Sequence, residues 1–186
     1  MKRFFTCLLA LTTLGLSSDA SAEMRRYLYC ATPDGAQREG KSGNGIVIFD
    51  IDNGHKFVRR VEIPDFQEGI RGMTGCTVMK RLYFGTTNKR MGCFDLQSNK
   101  VIWNRTYDRG CDRSCITPDG KTIYAPTGWW YKGDDSGFLV INPENGDPVR
   151  NITVGTAAHN SIASLDGKFV YLGTTTKLTQ FDAASG

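Results

Sequence analysis

Histidine is scarce in this chain: His55 and His159 are the two it has. A Ser-His-Asp hydrolase would have to use His159, and no serine is marked as its nucleophile by a Gly-x-Ser-x-Gly elbow. His-Glu-x-x-His, the P-loop and Gly-x-Gly-x-x-Gly are missing too, so the local signatures of zinc proteases, P-loop nucleotide sites and dinucleotide sites are not present. No Cys-x-x-Cys pair occurs, and with it the usual redox, haem-attachment and zinc spacings fall away. No cofactor and no metal site are predicted. Charge of one sign is also lacking. The 23 basic and 19 acidic residues are interspersed and leave a formal charge of +4, whereas nucleic acid binding normally needs clustered Lys and Arg. No apolar run is long enough to span a bilayer.

The longest such run, Phe4 to Leu16, follows Lys2 and Arg3 and leads to Ala20-Ser21-Ala22. A basic start, a short apolar stretch and a small-residue A-x-A end describe a secretory signal. Residues 1–22 are therefore read as a leader and 23–186 as the domain, which places the protein outside the cytoplasm, in a periplasmic or extracellular compartment. Cys7 would leave with the leader. Cys30, Cys76, Cys93, Cys111 and Cys115 remain, an odd number in an oxidising compartment, and their connectivity is open.

Glycine, by contrast, is plentiful, with 21 residues, and it falls at regular places. Four segments repeat one pattern: Tyr27 to Thr32, Arg81 to Thr86, Thr122 to Thr127 and Phe169 to Thr174. Each is a short strand around a central Tyr, with alternating side chains suited to a two-faced sheet. A second strand ends each time in Asp or Asn, at Asp50, Asp95, Asn142 and Asp182, and Gly or Asn follows four residues on. Asx side chains bond the backbone ahead of them, and Gly or Asn accepts positive φ, so this is turn chemistry. Third strands follow at 57–63, 101–107 and 148–154. Further strands at 75–79, 114–117 and 161–164 lead into the next repeat. The Tyr spacings of 54, 41 and 47 residues bracket a period of about 45, the length of a four-stranded propeller blade.

A Tyr-centred strand, a strand ending in Asp, a Gly-closed turn and then Thr117-Pro118-Asp119-Gly120-Lys121 or Ser164-Leu165-Asp166-Gly167-Lys168 resemble the YVTN-type repeat of WD40-like and quinoprotein amine dehydrogenase-like propellers. The resemblance covers the chain after the leader. It implies an all-β fold of about four antiparallel blades. The first lacks its inner strand and the fourth its outer one, so the ring is incomplete. Family members commonly have seven blades, so this chain is expected to be the N-terminal part of such a ring. Remaining blades or self-association would close it.

In that architecture, residues at the start of the inner strands meet at a central channel. Arg71, Arg109, Asp112, Arg113, His159 and Asn160 are the expected ligand-binding residues at its mouth. Guanidinium groups with an imidazole suit an anion, a carboxylate or a phosphate. The alternative is that Arg and Asp pair with each other to fill a wet channel. Trp129, Trp130 and Tyr131 form a candidate partner-binding loop, since exposed aromatics make stacking platforms; loop-on-loop packing is the plainer alternative. Asp134 and Asp135 lack the further oxygen ligands of a calcium loop. Cys76 and Cys115 share a phase of adjacent inner strands by residue count, which suits either a cross-blade disulfide or buried free thiols.

Two functions remain. One is an exported, non-catalytic scaffold binding a small anionic ligand or a protein. The other is a propeller enzyme or enzyme subunit, such as a lactonase-like hydrolase or the chain of a periplasmic dehydrogenase.

Overall fold

The computed structural model describes residues 24–32, 43–63, 68–128, 130–131, 133–155, 157–174 and 177–185. The expected leader and Trp129 lie outside the described residues. Four antiparallel sheets follow one another along the chain. The first holds β1 (Tyr27–Ala31), β2 (Ile46–Asp50) and β3 (Lys56–Val61). The second holds β4 (Ile70–Cys76), β5 (Arg81–Thr86), β6 (Arg90–Asp95) and β7 (Lys100–Thr106). The third holds β8 (Cys115–Ile116), β9 (Ile123–Pro126), β10 (Gly137–Ile141) and β11 (Pro148–Thr153), and the fourth β12 (Asn160–Ala163), β13 (Phe169–Gly173) and β14 (Leu178–Asp182). Among the described residues no helix is long and apolar enough to cross a membrane. The sheets are propeller blades, three-stranded at both ends of the series and four-stranded between. Inner strands of neighbouring blades approach each other, β4 against β8 and β8 against β12.

The turn chemistry is as the sequence requires. Oδ1 of Asp50 accepts from the backbone N–H of Asp52 and Asn53, that of Asp95 from Gln97 and Ser98, and that of Asp182 from Ala184 and Ser185. These bonds stabilise the ionised form and hold the Asp95 and Asp182 carboxyls below their ordinary range. A second device was not foreseen. The Thr ending the Tyr strand ties off the hairpin ahead of it: Thr32 donates to Gly45 O, Thr127 to Gly137 O and Thr174 to Lys177 O.

One strand lies elsewhere than expected. The inner strand of blade two is Ile70–Cys76 and not 75–79, because Thr77 to Lys80 form the turn, with Lys80 at φ 54°. Thr-Val-Met-Lys carries no Pro-Asp-Gly signature, so its apolar pair imitated a strand.

Blade-to-blade packing makes the core. Ile46, Ile48, Leu82, Phe84 and Phe94 lie between blades one and two. Tyr83, Met91, Trp103, Ile123 and Ile141 lie between two and three, and Tyr124, Phe138, Val140, Val170 and Leu172 between three and four. The repeat Tyr locks a neighbour's turn: Tyr124 Oη donates to Ala183 O of blade four at 2.7 Å.

The cysteines follow this packing. All five described cysteines are free thiols. Cys76 belongs to the core between blades two and three, whereas Cys115 belongs to the one between three and four. They lie on opposite sides of blade three, so no disulfide joins them. The pairing register explains why: Thr74 faces Tyr83 and Cys115 faces Tyr124, so Thr74 is the true counterpart of Cys115. Burial pushes the Cys93 and Cys111 thiols up to about 12 and Cys115 up to about 11. At about pH 8 a thiol reagent is therefore expected to label half-buried Cys30 in the native protein, while Cys76, Cys93, Cys111 and Cys115 react only after unfolding. Mass mapping of the labelled peptides checks this, and prompt native labelling of Cys111 would contradict the packing.

Candidate functional site

Each inner strand begins close to the axis, and there the register aligns one residue per blade. Gly72 pairs with Gly85 and Asn160 with Gly173, and Arg113 holds the same place before β8. The residues just before these three are Arg71, Asp112 and His159. Three successive blades thus present a guanidinium, a carboxylate and an imidazole at one structural position.

They are in contact. Arg71 Nε donates to Asp112 Oδ1 at 3.3 Å, and the two side chains are 5% and 0% exposed. His159 Nε2 stands 3.5 Å from Asp112 Oδ2, an oxygen that accepts no hydrogen bond among the described residues. The backbone fixes the carboxylate from behind, with Asp112 N–H donating to Pro126 O and His159 N–H to Gly173 O. A carboxylate taken out of water is tolerable when a cation meets it, and Arg71 supplies one. The arrangement also needs Gly72: a Cβ there would stand 2.7 Å from Arg113 Cα, so only glycine lets β4 lie this close to the next blade.

Arg113 and Asn160 form the adjoining layer. They are joined by a parallel bridge, and Arg113 Nη1 donates to Asn160 Oδ1 at 3.4 Å. Ser161 ties the same seam, its Oγ donating to Tyr124 O at 2.9 Å and its N–H to Arg113 O. Arg113 meets no carboxylate among the described residues, in contrast to Arg71.

Arg109, expected at the channel mouth, turns the other way. Its guanidinium stacks 4.7 Å above the Tyr131 ring and forms an ion pair with Asp135, whose carboxylate also accepts from Tyr131 Oη. That hydrogen bond, with Arg109 beside it, holds the Asp135 carboxyl below its ordinary range, and the same bond pushes the Tyr131 phenol up against the opposing pull of Arg109. Asp135 is thus engaged by the loop itself. Trp130 covers Gly110, where φ is +77° and any side chain would run into the indole. Its ring also lies 6.0 Å from Arg71 Cζ. Trp130 and Tyr131 are therefore packed on the loop entering blade three, and Trp130 roofs the Arg71–Asp112 pair. Residue counting grouped Arg109 with the channel because it lies close in sequence to Asp112. The Gly110 turn separates them, and no sequence signal marked Asp135 as its partner.

Among the described residues no three of His, Cys, Asp and Glu gather to hold a metal. No protein-family model matches the chain, nor does any curated protein sequence. Solved structures do. The chain is similar to the β-propeller domain of Cps50 (Swd1) from Myceliophteria thermophila, with a TM-score of 0.58 and 14% identity over 76% of this chain and 46% of that one. It is also similar to hydrazine synthase of Kuenenia stuttgartiensis, with a TM-score of 0.63 and 20% identity over 79% of this chain and 42% of the other. At such identities the likeness establishes the β-propeller fold and no activity. The chain spans less than half the length of either.

Proposed function

We propose that this chain is an exported, non-catalytic propeller of the YVTN type, a scaffold that takes an anionic ligand, or an acidic group of a protein partner, at its channel mouth. One observation carries the reading. Arg71 is neutralised in place by Asp112, while Arg113, beside the Asn160 amide and half exposed, faces no carboxylate among the described residues. The Arg113 main chain is anchored by its bridge to Asn160 and by the Ser161 N–H on its carbonyl, and its guanidinium, flanked by the Asn160 amide, is placed to receive a carboxylate or phosphate. The buried group behind it then sets position.

Titration calorimetry with inorganic phosphate and small carboxylates tests this. Arg113→Ala is expected to weaken binding at least about tenfold, the loss of one charge-assisted contact, with the melting temperature unmoved. An Arg113→Ala protein that binds equally well would overturn the reading, as would an absence of heat with every anion. A catalytic role draws on a different observation, the approach of His159 Nε2 to a buried carboxylate, which is how a general base is oriented. Turnover of a lactone or an amine that His159→Ala abolishes would replace the scaffold with an enzyme.

A further inference from the structure

Asparagine precedes glycine at Asn44-Gly45, Asn53-Gly54 and Asn145-Gly146. The pair is turn chemistry, and it also carries a reaction. Glycine has no side chain to shield its amide nitrogen or restrict its backbone, so that nitrogen can reach the carboxamide carbon of the asparagine before it. Folding decides which pairs are free to react. Two are held. Gly146 is buried, and a Cβ there would stand 2.6 Å from Trp103 Cε3. Its N–H donates to Asn142 O at 2.9 Å, and its carbonyl accepts from Tyr107 Oη. The Asn145 carboxamide is engaged at both ends, with Nδ2 donating to Asp147 Oδ2 at 2.7 Å and Oδ1 accepting from Asp147 N–H at 3.0 Å. Gly45 is buried as well, and a Cβ on it would run into Val61 O. Its carbonyl accepts from both the N–H and the Oγ1 of Thr32, and Asn44 O accepts from Arg60 Nη1.

Asn53-Gly54 differs on every count. Both residues are exposed, and nothing lies within 4 Å of the place a Gly54 Cβ would take. Among the described residues neither the Asn53 carboxamide nor the Gly54 N–H makes a hydrogen bond. The same turn position in the other blades shows what is missing here. Ser98 Oγ donates to Asp95 Oδ1, Ser185 Oγ donates to Asp182 Oδ1, and Asn145 is held by Asp147. In blade one only the main chain is tied, by Asn53 N–H donating to Asp50 Oδ1 at 3.2 Å and Lys56 N–H donating to Asn53 O at 3.2 Å.

We propose that Asn53-Gly54 is a site of spontaneous deamidation, with water as its co-reactant. The Gly54 nitrogen gives its proton to hydroxide and bonds to Asn53 Cγ; the Cγ–Nδ2 bond breaks, and ammonia leaves with a proton taken from water. Water then opens the cyclic imide at one of its two carbonyls. Opening at the main-chain side leaves isoaspartate, whose main chain runs through Cβ and Cγ, and opening at the Cγ side leaves an ordinary aspartate. Both products add a negative charge to a turn that already holds Asp50 and Asp52. Isoaspartate also lengthens the turn by one atom and frees as a carboxylate the carbonyl that receives the Lys56 N–H, so the β2–β3 hairpin loses its closing bond. The site lies in blade one and is independent of the anion site on blades two to four.

Incubation of the whole native protein at mildly alkaline pH, followed by peptide mapping with an acid protease, tests it. A mass gain of about 1 Da, the exchange of an amide for an acid, should accumulate at Asn53. It should do so faster as pH rises, because the deprotonated nitrogen attacks. An isoaspartyl methyltransferase should label the product, and Asn53→Gln should remove that label. Asn44 and Asn145 should convert at least about tenfold more slowly, since packing holds their glycines and hydrogen bonds have to break before attack. In the urea-unfolded chain all three should convert at similar rates. Equal rates at the three sites in the native protein overturn the proposal. So does a native Asn53 that stays unconverted while the unfolded chain reacts, or a methyltransferase label that persists in Asn53→Gln.

Discussion

Asp112→Ala is expected to cost the folded protein roughly 3–5 kcal/mol, the range for removing one partner of a buried ion pair. The residue is fully buried, and Arg71, its partner at 3.3 Å, is nearly so. Removing the carboxylate leaves the guanidinium in a dry site without the counter-charge it meets there. The loss should therefore exceed anything expected from a surface pair. Asp112→Leu combined with Arg71→Met should recover most of it, since an apolar pair of similar volume carries no desolvation cost. Urea unfolding of the three proteins decides the matter. A loss below about 1 kcal/mol for Asp112→Ala would mean that the pair is not sealed from water. The same comparison bears on function, because the double variant retains Arg113 and Asn160 and tests whether the Arg71–Asp112 group is needed to position them.

Trp103→Ala should cost a similar amount, roughly 3–5 kcal/mol as for other buried aromatics cut to alanine. Trp103 joins two blades. Its ring lies 6.0 Å from that of Tyr83, and its Nε1 donates to Pro143 O of blade three at 2.9 Å. Beside it Tyr107 Oη donates to Gly146 O at 2.7 Å, and Arg81 reaches Glu144. Stability in a repeat array is a sum of units and of the interfaces between neighbours. Loss of this clamp should therefore also uncouple blades one and two from blades three and four. Trp103→Phe keeps most of the ring and should lose about 1 kcal/mol for the hydrogen bond. Hydrogen exchange by mass spectrometry checks the uncoupling. Early exchange confined to one side of the 103–143 seam is expected in Trp103→Ala, and uniform exchange in both halves would refute it.

The repeat was legible because its carriers act locally. Asp50, Asp95 and Asp182 bond amides two and three residues ahead, and such chemistry is written in a few consecutive letters. The strands of the central Tyr were legible for the same reason. Where a turn carried no such chemistry, as at Thr77 to Lys80, the strand before it was misplaced. The misplaced strand shifted the phase by two residues, which set Cys76 beside Cys115 in a count, whereas Thr74 to Tyr83 and Cys115 to Tyr124 are the matching spans and the two cysteines lie in separate cores.

The candidate site was legible in its members and not in its grouping. Arg71, Asp112, Arg113, His159 and Asn160 do meet, while Arg109 departs to Tyr131 and Asp135. Which of two neighbouring arginines faces a carboxylate depends on a backbone turn at Gly110 and on a loop some twenty residues away, and no local pattern records that.

Scarce histidine and missing catalytic motifs narrow the chemistry, and the sequence by itself determined the strand order, the four repeats and the turns that separate them. Those follow from period-2 alternation and from Asx and glycine geometry, which act over a few residues. The tertiary structure decided what the charges do. Asp112 neutralises Arg71 and leaves Arg113 half exposed at the rim, because pairing register and blade packing bring together residues about forty or more positions apart.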